Sequence, residues 1–113
     1  MLKRTFRLRT KQDFKRVYTK GKTLNTRFFR IKTVPNDLEY TRVGVVLPNK
    51  VIKKAAKRNR RKRQMREGLK TLFPQLKKGY DVVVIAQSEV AEVSFAHMVD
   101  DMRDGFRKIG FLK

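Results

Sequence analysis

The chain has 113 residues and no cysteine, which is single-domain length and excludes a disulfide framework or thiolate metal site. Thirty Lys and Arg stand against ten Asp and Glu, a formal net charge of +20, while 40% hydrophobic residues with eight Phe exclude a merely disordered basic tail. The longest apolar run, Val82 to Ala86, is far too short to span a membrane, and no signal-length apolar stretch follows the basic N-terminus, so a soluble cytoplasmic protein without a membrane partner is expected.

Residues 1–10 read as a basic arm, ordered only if something holds it. Thr10 to Asp13 resembles a capping box, with Thr10 as N-cap and Asp13 in the glutamate's place. Phe14, Val17 and Tyr18 then share one face of a helix that Gly21 can end. Thr26 to Thr33 reads as a strand, with Phe29, Ile31 and Thr33 on one side and Phe28, Arg30 and Lys32 on the other. Pro35 to Glu39 is a turn, and Arg42 to Leu47 a second strand.

Pro48 and Asn49 open a long helix, with Asn49 a candidate N-cap, and Pro74 stops it near Leu72. Tyr80 to Ala86 is a strand buried on both faces. Ser94 caps a last helix in which Phe95, Met98, Met102, Phe106 and Ile109 recur at helical spacing. The order predicts one α/β (α+β) sandwich of two layers, with a small central sheet, about three helices and room for one further strand before the long helix. Its core is assigned to Phe29, Ile31, Val43, Val45, Val83, Ile85, Met102 and Phe106.

The long helix carries the sharpest signal. Ten of the seventeen residues from Lys50 to Arg66 are Lys or Arg, and no acid lies between Glu39 and Glu67. Solvated surface helices usually mix charge signs to gain pairs one turn apart. Here Met65, Leu69 and Leu72 form the apolar stripe. The opposite side carries Asn59, Lys62, Arg63, Arg66 and Lys70, flanked by Arg60, with Ala55 and Ala56 small enough to let a phosphate backbone approach. Such a face fits a nucleic-acid backbone.

Lys57-Arg58-Asn59-Arg60-Arg61-Lys62-Arg63, followed by Arg66-Glu67, resembles the signature of the bacterial ribonuclease P protein family. Asp13-Phe14, Val17-Tyr18 and Gly21 resemble that family's first helix, Arg42-Val43-Gly44 its second strand and Phe106-Arg107-Lys108 its last helix. The order and length agree over most of the chain. Arg61 departs from the pattern: the family has an apolar residue there. By spacing it falls on the Met65 stripe, so it either snorkels from the core edge or adds a phosphate contact.

The resemblance implies an accessory subunit of an endoribonuclease that removes the 5′ leader of precursor tRNA. The catalyst would be a large RNA with bound Mg²⁺, and the protein would hold no cofactor, no metal and no catalytic residue. Its partners would be that catalytic RNA and precursor tRNA, with no obligate protein partner. It implies RNA contact through Lys53, Lys54, Lys57, Arg58, Asn59, Arg60, Lys62, Arg63 and Arg66. It also implies a left-handed crossover through the basic helix, and a cleft for the single-stranded leader holding Phe14, Tyr18, Arg30 and Lys32. Strand alternation adds Phe28 to that group.

The residue inventory agrees with the division of labour. One His and two Ser, without Cys, offer no paired-His or Ser/His nucleophilic site. Asp100 and Asp104 share a helical face, but Arg103, Arg107 and Lys108 stand at pairing distance, so an ion-paired surface is the expectation there rather than a metal site. The alternative class is a structural RNA-binding protein of ribosomal type, which composition alone does not separate. DNA binding by the basic helix is weaker, since no recognised DNA-binding motif or dimer heptads accompany it.

Overall fold

The computed structural model describes residues 2–112. Helix α1 spans Lys11–Lys20, strands β1 Lys22–Asn25, β2 Phe29–Pro35 and β3 Arg42–Val46, helix α2 Ala55–Leu72, strand β4 Tyr80–Ala86 and helix α3 Phe95–Lys108. The sheet runs β1-β2-β4-β3, with β3 parallel to β4 and the other pairs antiparallel. The parallel pair needs a crossover, and α2 supplies it.

The larger core lies between the sheet and α2 with α3. Phe29, Ile31, Val43, Val82 and Val84 meet Met65, Leu69, Leu72, Met98, Met102 and Phe106 there. A smaller cluster, Leu8, Val17, Val34 and Val83, packs α1 onto the opposite face, as a partial third layer over the predicted two. Of the residues assigned to the core, Val45 and Ile85 are only half-buried, each against the rim of one cluster.

Three local expectations are corrected. The strand placed over residues 26–33 is the end of a hairpin: Thr26 donates its N–H to Phe29 O at 2.7 Å, and β1 lies before the turn rather than within the run. Phe28 therefore precedes β2, its N–H goes to the Asp101 carboxylate at 3.0 Å, and its ring is buried in the larger core instead of facing Arg30 and Lys32. The alternation failed because a tight turn breaks the two-residue period. Asn49 is not an N-cap either. Helix α2 starts at Ala55 after Lys54, and Asn49 Oδ1 accepts from Arg58 Nε at 3.1 Å. Only half of the capping box forms: Thr10 Oγ1 accepts from Asp13 N at 3.1 Å, while the Asp13 carboxylate turns to Arg42.

The arm is held, from Leu2 to Thr10, by the fold itself. Phe6 packs against Tyr40 and Phe73 with ring centroids 5.7 and 5.1 Å away. Leu8 is buried, and its N–H donates to Val43 O at 2.9 Å, so the arm pairs with the outer edge of β3.

Beneath α1 lies Asp81, fully buried on β4. Its Oδ2 accepts from Arg42 Nη2 at 2.7 Å and Arg16 Nη2 at 3.0 Å; its Oδ1 accepts from Arg42 Nε at 2.9 Å and Asn36 Nδ2 at 3.0 Å. Burial pushes this carboxyl up, but the hydrogen bonds from Arg42, Asn36 and Arg16 and the Arg42 charge outweigh it, so its pKa lies below the ordinary 3.8. A depressed carboxylate contributes stability that is present above its unfolded value and is lost as pH falls through the folded one. Asp81→Asn is expected to cost about 1–3 kcal/mol at neutral pH, since it leaves the half-buried Arg42 guanidinium with a neutral partner. Urea melts of both proteins test the sign: the gap between them narrows as pH drops below the ordinary aspartate value of 3.8.

Candidate RNA-binding face

The basic helix stands where its two-sided sequence puts it. Met65, Gly68, Leu69 and Leu72 are buried against the sheet and α3. Lys53 and Lys54 just before α2, and Lys57, Asn59, Arg60 and Arg63 on it, are exposed. Several cations also serve the fold. Arg58 is half-buried and donates from Nη2 to Leu47 O at 2.6 Å. Lys57 pairs with Glu92 at 3.0 Å. Arg61 snorkels off the core edge: its Nη2 donates to Ala91 O at 3.2 Å, which explains a cation where an apolar residue was expected.

Lys62 and Arg66 turn toward α1. With Arg7, Leu8 and Arg9 of the arm, Phe14 of α1 and Gly44 of β3, they line a cleft of about 310 Å³ along the β3 edge. Burial lowers the Lys62 pKa, and the charges of Arg66 and Arg58 lower it further. Arg7 Nε is buried there without a hydrogen-bond partner. Desolvated cations facing each other, with an unsatisfied donor beside them, are a site that an anion would stabilise.

Gly44 is what lets the cleft exist. A Cβ on it would stand 2.7 Å from the edge of the Phe14 ring. Gly44→Ala is expected to push Phe14 off the strand and destabilise the protein by about 1–3 kcal/mol, the usual cost of overpacking. A thermal melt checks the stability, and a shift of the Phe14 ring resonances checks the cause.

Phe14 continues along α1 to Tyr18, their ring centroids 6.4 Å apart. Tyr18 is 40% exposed. Partial burial raises its pKa above the ordinary 10, so the ring stays neutral. Around the pair stand Arg9, Lys11 and Lys15, on an open surface that chain-order reading did not single out. Helical spacing could have suggested Lys11 and Lys15, which stand three residues before Phe14 and Tyr18, whereas Arg9 precedes the Thr10 cap and has no period to place it. Lys32 reaches this surface from β2: its Nζ lies 5.9 Å from the Tyr18 ring and 3.4 Å from Tyr18 O. Arg30 is exposed two residues away and is held by Asn25 at 3.0 Å. Phe14, Tyr18, Arg30 and Lys32 thus belong to the α1 side of the sheet, and Phe28 to the other. Two surfaces read separately from the sequence meet at the β3 edge, where Lys62 and Arg66 approach Phe14.

Asp100 and Asp104 of α3 are ion-paired, to Arg103 at 2.9 Å and to Arg107 at 3.2 Å. Among the described residues no group of three or more His, Cys, Asp or Glu could hold a metal ion, and no helix is long and apolar enough to cross a membrane. His97 is exposed early in α3.

The fold and this face define a small α+β protein with a cationic, aromatic-lined surface suited to single-stranded polyanions. The family profile described as Ribonuclease P matches residues 2–110. The ribonuclease P protein component of Caldanaerobacter subterraneus subsp. tengcongensis is 36% identical over 108 residues, covering 96% of this chain and 92% of that protein. The ribonuclease P protein from Thermotoga maritima superposes with a TM-score of 0.78 at 30% identity, over 87% of this chain and 92% of its own. The Staphylococcus aureus protein has the same fold, with a TM-score of 0.85 at 24% identity over 96% and 98%. The chain therefore belongs to the ribonuclease P protein family, the protein components of the endoribonuclease that processes tRNA 5′ ends.

Proposed function

We propose that this protein binds the catalytic RNA of its ribonuclease P through the exposed face of α2 and holds the 5′ leader of precursor tRNA along α1. The supporting observation is the convergence at the β3 edge. One continuous surface runs from the cations of α2, through Lys62 and Arg66, to Phe14, Tyr18 and Lys32. Cations attract a phosphate backbone without reading its sequence, and exposed rings accept any base face. That tolerance suits leaders of many sequences. A duplex offers no splayed bases to such rings, so the mature tRNA body gains less there than a single-stranded leader does.

The protein's part is to bind and orient. Its neutral Tyr18 and half-buried Phe14 stack; Arg9, Lys11, Lys15 and Lys32 neutralise backbone charge; the α2 cations fix the surface on the large RNA. Hydrolysis belongs to the RNA and its Mg²⁺. The carboxylates of Asp81, Asp100 and Asp104 are each held by an arginine. Mixing a 5′-leader precursor with the matching RNA at low Mg²⁺ tests this reading. Cleavage is expected to rise when the protein is added, and nuclease-free protein alone is expected to cut nothing. Robust cleavage without the RNA would overturn the division of labour.

A further inference from the structure

The sequence reading passed over Asp81, because it sits inside the apolar run of β4. The structure makes it the point where four pieces of chain are joined. Arg16 comes from α1, Arg42 from β3, Asn36 from the β2–β3 turn, and Asp81 itself from the central strand β4. Two of these partners carry the tie onward, Arg42 to α1 and Arg16 to the end of β2. Arg42 also approaches Asp13, one residue before Phe14, at 3.4 Å. Arg16 donates from Nη1 to Pro35 O at 2.9 Å while its Nη2 holds Asp81. Helix α1 is thus clamped at both Asp13 and Arg16, on either side of Phe14.

The apolar contacts of α1 do not fix its placement so closely. Val17 is its one fully buried residue, and Phe14 rests on bare Gly44. A helix seated on Val17 and the half-buried Phe14 has few apolar contacts to fix its tilt; a planar guanidinium fork bonded to two acceptors cannot move without breaking both. The ion network therefore adds to that packing, and to the Lys32 Nζ contact with Tyr18 O, in placing Phe14 and Tyr18 over the sheet.

We infer that Asp81 is a positioning residue for the leader cleft: through Arg16 and Arg42 it sets where α1 holds Phe14 and Tyr18, and so sets the preference for precursor over mature tRNA without touching RNA. This inference rests on the leader-cleft reading above. An ion pair on a buried carboxylate need not add stability over an apolar equivalent; its role here is to select one placement of the helix. Asn36 provides an internal control. It bonds the same carboxylate, yet its other side-chain bonds, to Tyr40 O and from Leu38 N, stay inside the turn and away from α1.

The test compares Arg16→Gln, Asn36→Ala, Asp81→Asn and Phe14→Ala in the protein assembled with its catalytic RNA. Precursor and mature tRNA affinities are titrated over a range of salt, beside thermal melts. Arg16→Gln is expected to lower the precursor-over-mature ratio by roughly 5-fold or more, within the loss caused by Phe14→Ala, and to leave the salt slope for precursor unchanged. Asn36→Ala is expected to melt earlier and keep the wild-type ratio. Asp81→Asn, read below its melting temperature, should follow Arg16→Gln. Should it fail to fold, the Arg16 and Asn36 pair decides alone.

A wild-type ratio in Arg16→Gln would overturn the inference. So would an equal fall in Asn36→Ala, which would mean general loosening. A salt slope reduced by about one in Arg16→Gln would show instead that Arg16 contacts a phosphate directly, and would overturn it too. If Phe14→Ala itself keeps the wild-type ratio, the leader-cleft reading fails and this inference falls with it; if only Phe14→Ala lowers the ratio, the cleft stands and the role of Asp81 does not.

Discussion

Replacing Arg60, Lys62 and Arg63 together by Glu is expected to weaken binding to the catalytic RNA by about 500-fold or more near 0.1 M salt, since each phosphate contact contributes about the 0.9 power of the salt concentration. That is a factor of roughly 8 per contact, taken three times, before any new repulsion is counted. The fold should survive. Arg60 and Arg63 are exposed, and Lys62 is half-buried among like charges, so reversing it relieves repulsion from Arg66 and Arg58. For the wild type, about five contacts predict a slope of log K against log salt of roughly −3.5 to −4.5. The triple variant should lose about 2 to 3 from that slope. A fluorescence titration over a salt series measures both, and circular dichroism checks the fold. A flat wild-type slope would move the RNA contact away from α2.

Tyr18→Ala and Phe14→Ala should lower affinity for precursor tRNA by roughly 5- to 150-fold each, at about 1–3 kcal/mol per stacked base, and leave mature tRNA nearly unchanged. The two differ in what else they cost. Tyr18 is 40% exposed, so its truncation should barely shift the melting temperature. Phe14 is half-buried on Gly44 and lines the cleft wall, so its loss also removes packing. Were both rings ordinary core, truncation would cost stability on the order of 3–5 kcal/mol and weaken both ligands together through unfolding. Melts beside the two titrations separate these outcomes.

Much of this molecule was legible in order along the chain. Met65, Leu69 and Leu72 of α2 pack with Met98, Met102 and Phe106 of α3, because helical spacing is local and sets the buried face, while Phe95 and Ile109 at the two ends of the predicted α3 stripe are exposed. The Ser94 cap and the Gly21 stop were legible for the same reason: Ser94 Oγ accepts from His97 N at 3.2 Å, and the Gly21 N–H closes on Val17 O at 2.9 Å. The family, too, was visible in an ordered set of short motifs.

What failed or went unseen depends on contacts distant in sequence. Phe28 was misplaced because Asp101, 73 residues away, takes its N–H and folds the hairpin turn tightly. Asn49 looked like a cap, but its amide oxygen is claimed by Arg58 and the chain runs on to Lys54 before the helix starts. Asp81 reads as a flaw in an apolar strand until Arg16, 65 residues away, and Arg42, 39 residues away, are seen to meet on it. The arm gave no sign of order from its own composition, since its anchors are the β3 edge and the rings of Tyr40 and Phe73. The meeting of Lys62 and Arg66 with Phe14 is likewise a product of the crossover, which brings α2 to the edge that α1 and the arm line.

The most direct test of the leader cleft is a series of precursors whose leaders are trimmed from the 5′ end, bound to wild type and to Tyr18→Ala in the protein assembled with its catalytic RNA. Wild-type affinity should fall as trimming removes the nucleotides that reach α1, and should then level off at the mature value. The Tyr18→Ala curve should be nearly flat over those nucleotides and join the wild-type curve at the short end. A wild-type affinity that ignores leader length, or two parallel curves with the same dependence, would contradict the claim that α1 holds the leader.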